Sequence, residues 1–401
     1  MKKVLPLIFM ATSPLLFATS FFSGETGTMA TFMNKGEGTF DPAIFLDGYF
    51  AGQITVSNAF SVRGEFSLRT PDMYSNGFTK RAEDSVFQIN ELSATLTKSF
   101  AGATHTLSAF AGHLETPGSQ QYIMRHLGTE RFSSLLTETY LGQVGAMTYP
   151  LHGYGGAYSA TLKRIPLSAG ITISRNPENF EDEPQMNGDF HLAGAFRYLT
   201  FDFVGGVGAP LSTIDANGDK VFLLIDTLYY HMGLDVLLGN KASPFSIFAQ
   251  YGFEYLPVKS PDTAKSLIPS EIYLLVEPRF DFGGLKMHLT AYSLPKESVV
   301  KNLFFIEDTL GASMTVFSDS LFTPARNYTA GFNIMVSFED KYFNDLEDKD
   351  FTDNMNIKFS PFTEIDVSGG KLKMVLQVGA MKLSNSKANA VKLNIGYKKE
   401  L

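Results

Sequence analysis

Between Val62 and Arg69 the chain alternates without a slip. Val62, Gly64, Phe66 and Leu68 fall on one phase, and Arg63, Glu65, Ser67 and Arg69 on the other. Successive side chains of a strand point to opposite faces, so this stretch makes a ribbon with one apolar and one charged side. Ile44, Leu46, Phe50, Ile54 and Val56 share a phase with two glycines just upstream, and Asn58 to Phe60 is a link of hairpin length. The same rhythm returns to the end of the chain, where Val391, Leu393, Ile395 and Tyr397 oppose Lys392, Asn394, Gly396 and Lys398. A chain made of such ribbons must find a home for both faces.

Two homes exist. In a water-soluble sandwich the apolar faces meet each other; in a membrane barrel they meet lipid, and the polar faces enclose a lumen. Three features favour the barrel. Short links alternate with long ones, as periplasmic turns alternate with extracellular loops. Aromatics stand near the short links, at Phe60, Phe100, Tyr198, Phe201, Phe282, Phe317 and Phe322, like an interfacial girdle. The opposite phases carry Arg63, Glu65, Arg69, Arg197, Arg279 and Lys286 together with glycines and hydroxyls. The expected fold is an all-β, transmembrane antiparallel β-barrel of about 16–18 strands with both termini on the periplasmic side. Counting back from the last strand gives about 18. That count needs one strand before Ala43, supplied by Gly27 to Asn34, and an even number, most simply none, between Leu114 and Tyr154.

Several stretches depart from the rhythm. Phe87 to Ser99 slips near Glu91, as a bulge would make it. Glu115 to Gly153 alternates only in part and is read as a long extracellular excursion, residues 115–153, that folds back into the lumen. Phe222 to Leu238 carries Asp226 and Asp235 on opposite phases, and Phe304 to Phe317 does the same with Glu307 and Asp308. Each pair sets one carboxylate toward lipid unless a bulge or a position above the membrane intervenes. Phe248 breaks phase in Phe245 to Leu256. With no linker, composition break or fixed-length repeat, residues 21–401 read as one domain.

The first 20 residues read as an export signal. Lys2 and Lys3 precede the charge-free stretch Val4 to Phe17, and Ala18-Thr19-Ser20 offers small residues for a cut after Ser20. Pro6, Pro14 and the short apolar length argue against a membrane anchor. Thr139 to Leu162 has no charged residue, but five glycines and Pro150 make it a poor spanning helix. The absence of Cys removes disulfides, thiolate metal sites, a thiol nucleophile and a lipoprotein anchor. A net charge of -8 gives no case for nucleic acid.

The alternating strands, and the closing segment Val391 to Leu401, resemble outer-membrane β-barrel proteins of diderm bacteria over nearly all of residues 21–401. The resemblance implies a bacterial outer membrane, contact with its lipid, and recognition of the final strand by barrel-assembly machinery. That class usually ends on an aromatic residue; here Tyr397 is followed by Lys-Lys-Glu-Leu, with Leu401 on the outward phase. The Cys-free, Phe-rich style and the Phe-Phe-Ser-Gly start at Phe21 are similar to uncharacterised barrels of spirochaetes such as treponemes.

No motif points to catalysis. Asp215-Ala-Asn217-Gly-Asp219 imitates the start of a calcium loop but has Asp226 in a strand segment where the closing carboxylate belongs, and an Asn-Gly turn accounts for it. The acidic stretch from Asp345 to Asp350 reads as a solvated loop. His105, His113, His126, His152, His191, His231 and His288 show no metal spacing. Gly205-Gly206-Val-Gly208 is followed by no helix pattern, so it is not a phosphate loop. The chain is therefore read as a non-enzyme without cofactor or metal: a porin-like channel for small hydrophilic solutes, with Arg63, Glu65, Arg69, Arg197, Arg279 and Lys286 lining the pore. A plugged-lumen transporter for an apolar ligand, of the fatty-acid-transporter kind, and a surface adhesin stand as alternatives. A homo-oligomer is left open.

Overall fold

The structure is a computed structural model that describes residues 21–36, 38–76, 86–113, 118–138, 152–176, 185–210, 212–214, 218, 220–224, 228–240, 242–258, 267–296, 304–306, 308–319, 328–347, 355–384 and 390–401. The expected signal segment, the Asp215 to Asp219 turn residues 215, 217 and 219, and Asp226, Glu307 and Phe322 lie outside the described residues. In chain order the strands are β1 Phe21–Asn34, β2 Pro42–Ser57, β3 Phe60–Arg69, β4 Val86–Phe100, β5 Ala103–His113, β6 His152–Leu162, β7 Leu167–Asn176, β8 Gln185–Ala195 and β9 Leu199–Pro210. There follow β10 Ser212–Ile214, β11 Lys220–Leu224, β12 Leu228–Leu238, β13 Phe245–Val258, β14 Ile272–Asp281, β15 Leu285–Ser293, β16 Leu310–Ser318, β17 Tyr328–Phe338, β18 Met355–Val367, β19 Gly370–Gly379 and β20 Val391–Glu400.

Eighteen of these form one antiparallel sheet in sequence order, with β10 and β11 apart as a small hairpin in the connection from β9 to β12. The sheet closes where β1 pairs with β20, from Glu25 opposite Glu400 to Met33 opposite Lys392. Closure leaves no edge strand, which is the condition for a sheet to stand in hydrocarbon. β5 pairs directly with β6, so no strand of the wall intervenes between them. Both β1 and β20 place their outer ends, Phe21 and Leu401, at the end of the barrel that carries the short turns.

The two faces are inverted relative to a soluble protein. Leu107, Ile171, Ile173 and Phe190 point outward and are 57%, 54%, 56% and 45% exposed, whereas Glu65, Asn333, Ser360 and Gln377 point inward and are buried. An apolar exterior round a polar interior is the arrangement of a transmembrane barrel, and among the described residues no helix is long and apolar enough to cross a membrane. Aromatic side chains at the short-turn end include exposed Phe100, Tyr198 and Phe282. Phe317, expected in that girdle, is instead on the inner face, opposite Lys286 and edge-on to His288.

The irregular stretches resolve locally. The slip at Glu91 is a bulge: Glu65 pairs with Glu91 but Phe66 pairs with Ile89, leaving Asn90 as the extra residue. Gly112, at φ +131°, lies opposite, where an added Cβ would stand 2.2 Å from the Asn90 carbonyl oxygen, so only glycine fits. Of the expected long strand Phe222 to Leu238, the described start pairs in the small hairpin outside the barrel sheet and the described remainder is β12. β11 ends at Leu224 and β12 begins at Leu228, with Asp235 on the inner face opposite Asp202 and Gln250. Likewise β16 starts only at Leu310. Phe304, Phe305 and Ile306 leave the wall and are buried inside it, because an apolar run has a second home once the lumen holds other apolar side chains. Asp308 sits inside as well, accepting from the Ser337 hydroxyl.

At the long-loop end, Asp72 ties two loops together, accepting from Lys35 Nζ at 2.8 Å and from the backbone N–H of Ile44 and Tyr74 at 3.0 Å. Burial alone raises a carboxyl's pKa; here the bond from Lys35, then those from Ile44, Ser75 and Tyr74, outweigh it and hold Asp72 well below the usual carboxylate range. A depressed folded value means the tie is whole above the ordinary Asp pKa and is lost only as pH falls through the lower one. Limited proteolysis near Lys35 should therefore stay slow at pH 4 and quicken in stronger acid, whereas Asp72→Asn should quicken it at neutral pH. On the wall itself, Ile334→Arg places a cation on the outward face of β17 and should cost about 2–4 kcal/mol near the bilayer midplane, read from urea unfolding in lipid vesicles.

Candidate functional site

The inner face is organised round residues 118–138, which leave the wall and run across the lumen. Gly118 and Gly128, at φ +86° and +66°, let the chain turn on either side of a short helical turn, Ile123–Leu127. Contacts reach seven strands. Gly118 N–H donates to Asp235 on β12 at 2.8 Å. The Tyr122 hydroxyl meets Ser168 on β7 at 3.2 Å, and its ring stacks on His191 of β8 with centroids 4.9 Å apart. Arg125 reaches Glu91 on β4, Ser159 on β6 meets His126 Nδ1 at 3.0 Å, Ser134 donates to Glu277 on β14, and Lys373 on β19 lies 3.4 Å from Glu138.

Two ionic clusters anchor this segment. In the first, the β4 bulge turns Asn90 and Glu91 to the same side. Arg63 donates to Glu65 at 3.2 Å and to Glu91 at 3.1 Å, while Arg125 Nη2 spans both Glu91 oxygens at 3.0 and 2.9 Å. Ser93 completes Glu91 at 2.6 Å, and Asn90 Nδ2 donates to Glu65 at 3.4 Å. In the second, fully buried Glu277 accepts from Arg279 Nε at 2.8 Å, from Thr290 at 2.6 Å and from Ser134, with His288 Nδ1 at 3.4 Å. Arg279 then donates through Nη2 to the carbonyls of Phe132 and Ser133 at 3.1 and 3.0 Å, and stacks over Phe248 at 5.0 Å. Phe248 breaks phase in its strand because its ring is buried inside, edge-on to Phe132. Carboxylates removed from water need such partners, since an unpaired buried charge is costly.

Apolar side chains of both inward segments join the same interior. Ile123, Phe132 and Leu136 form one cluster with Phe248, Tyr273, Leu275, Phe304, Phe305 and Phe362. Lys373 touches both segments, its Nζ near Glu138 and 5.1 Å above the Phe304 ring. Beneath residues 118–138, toward the short turns, lie two adjoining cavities of about 870 and 760 Å3. They share Glu25, Met124, Arg131 and Glu400 as lining.

The six residues singled out from sequence are dispersed over this arrangement. Arg63 and Glu65 border the 760 Å3 cavity, and Arg279 and Lys286 the 870 Å3 one. Arg69 faces inward near the long-loop end, 2.6 Å from Asp47. Arg197 is not in the wall: β8 ends at Ala195, and Arg197 lies exposed in the turn, 5.0 Å from the Tyr198 ring. Glu91, Arg125, Glu277, His288 and Lys373 were not singled out. Glu277 shares a phase with Arg279, which was the available signal; Arg125 lies in a stretch without strand period and had none. Among the described residues no three His, Asp or Glu side chains gather as a metal site.

No family model matches the chain. No curated protein matches it in sequence. Among solved structures it is similar to bacterial porins. A mutant of the Rh. blastica porin aligns at TM-score 0.48 and 8% identity, covering 96% of this chain and 100% of that one. The outer membrane protein OpdK of Pseudomonas aeruginosa aligns at 0.49 and 8%, covering 95% and 98%. OmpF of Salmonella typhi, in complex with daunomycin, aligns at 0.44 and 9%, covering 95% and 97%. The barrel rests on the closed strand order rather than on these likenesses.

Arg279→Ala should cost about 3–5 kcal/mol by leaving Glu277 buried with its main cation gone. It should also make residues 118–138 protease-sensitive in a barrel that still shows heat-modifiable migration on gels.

Proposed function

We propose that the protein is an outer-membrane, porin-like channel through which small hydrophilic solutes diffuse, with residues 118–138 narrowing the lumen. The observation that carries this reading is the pair of adjoining cavities under that segment, bordered by charged and hydroxyl side chains and reaching Gly369, Gly370 and Leu401 at the short-turn end. In it Arg63, Glu65, Arg279 and Lys286 line the path, Arg69 fixes Asp47 above it, and Arg197 stands at the mouth. Residues 1–20 act as the export signal, and β20, which closes the barrel on β1, is the strand that assembly machinery engages. The short turns are then periplasmic and the long loops extracellular.

The interior apolar cluster favours a second reading, a plugged transporter for an apolar ligand. Phe132, Phe248, Phe304, Phe305 and Phe362 occupy space that an open pore of this strand number would leave to water. Planar-bilayer recordings of the folded chain separate the two. A channel gives stepwise conductance that grows when the Gly118 and Glu138 contacts are broken by Asp235→Ala with Lys373→Ala. A plugged transporter gives silent bilayers, and extraction of the purified barrel releases bound apolar molecules; that pair of results would overturn the channel reading.

A further inference from the structure

The outer wall is not uniformly convex. Between β7 and β13 it is indented by a groove of about 710 Å3, walled by Ile171, Ile173, Phe190, Phe203, Val207 and Tyr230. The dent has a simple cause. Gly188 and Gly205 occupy outward positions that neighbouring strands fill with large side chains; the Phe203 ring folds over Gly205, 3.0 Å from where a Cβ would stand, and the space at Gly188 stays empty. Gly188 lies between Ile173 and Val207, and Gly205 between Phe190 and Met232. A Cβ added at Gly188 would meet nothing within 4 Å, so the space above it is open.

Charge on this face is one-sided. Among the described strand side chains, the outward phases carry no Asp or Glu; their cations are Lys98 and Lys399 near the short turns and Arg175 at the long-loop end. Arg175 is exposed on β7, two residues beyond Ile173 on the same face and across from Met186. As the penultimate residue of its strand it stands at headgroup depth, directly in line with the groove.

We propose that this groove holds an acyl chain of an anionic, phosphate-bearing lipid of the surrounding membrane, whose phosphate sits on Arg175. A guanidinium matches phosphate in a forked geometry, and a smooth apolar channel below it matches a hydrocarbon chain. A second copy of the protein fits less well. A two-fold contact centred here would set groove against groove and Arg175 toward its own counterpart, leaving a void beside like charges. The proposal rests on the outer-membrane reading given above.

The chain contains no Trp, so one introduced indole reports alone. Phe190→Trp places it in the groove, and Phe359→Trp places it on the outward face of β18, away from the groove. The full chain is reconstituted in phosphatidylcholine vesicles and quenched with dibrominated phosphatidylglycerol or dibrominated phosphatidylcholine at equal mole fraction. At Phe190→Trp the anionic quencher should act at about five-fold lower mole fraction than the zwitterionic one, and at Phe359→Trp the two should act alike. Adding Arg175→Gln should erase the preference. Adding Gly188→Leu, which fills open space and leaves Arg175 in place, should erase it too, with heat-modifiable migration verifying the fold of both variants. Equal quenching by both lipids at Phe190→Trp, or a preference that survives Arg175→Gln, overturns the lipid site alone. Quenching at Phe359→Trp but not at Phe190→Trp assigns the groove to another copy. No quenching at either position removes the barrel from lipid and overturns the membrane reading together with the site.

Discussion

A backbone N–H facing hydrocarbon has no water to bond to, and that single constraint governs the molecule. It forbids an edge, so the first strand must meet the last, and β1 does pair with β20 along nine positions from Glu25 to Met33. It forbids slippage, because a shift of one residue would send the outward Phe and Leu side chains of a strand inward and its inward Arg and Glu into lipid. Where one extra residue is needed, at Asn90, the irregularity is confined to a bulge faced by Gly112, and pairing resumes on either side. The wall is thereby fixed in register all the way round. Side chains far apart in sequence, such as Glu91 and Glu277, become fixed points on its inner surface.

Those fixed points hold a segment that has no such geometry of its own. Residues 118–138 contain a single short helical turn and would not order alone. They are held at Asp235, Ser168, Glu91, Glu277 and Lys373, which lie on five different strands. Each anchor supplies what the buried backbone or side chain of the segment lacks. Asp235 accepts an N–H, Arg279 covers two carbonyls, and Glu91 and Glu277 each accept from both the wall and the segment. Multiple partners per charge matter because interior carboxylates are tolerable only when their bonding is complete.

The wall was largely legible in the sequence because its signal is local. Two-residue alternation needs no knowledge of distant partners, and the parity of short links then forces a strand before Ala43, found as β1. The interior was legible only in outline. Phe304 and Phe305 carry the same apolar signal whether they face lipid or fill the lumen, so periodicity placed them in a strand and packing against Phe362 placed them inside. Phe317 was misplaced for the same reason, since an aromatic beside a short link looks alike on either face. Arg125 and Lys373 acquire their roles only through tertiary contact. Nothing within a few residues of either marks it as a partner of Glu91 or Glu138.

The pairing of charges bears on how such a lumen discriminates. Arg63, Arg125, Arg279, Lys286, Lys371 and Lys398 each stand against a carboxylate, namely Glu65, Glu91, Glu277, Asp319, Glu364 and Glu25. A charge with its opposite a few ångströms away projects a dipolar field, which decays faster than that of a lone ion and is screened further over a Debye length of about 8–10 Å. A solute in the middle of the cavities therefore meets little net potential from these pairs, and meets their hydrogen-bonding groups only at the wall. In the channel proposed above, discrimination would then come from the width left beside residues 118–138 and from short-range polar contact, with the sign of the solute's charge a weaker term.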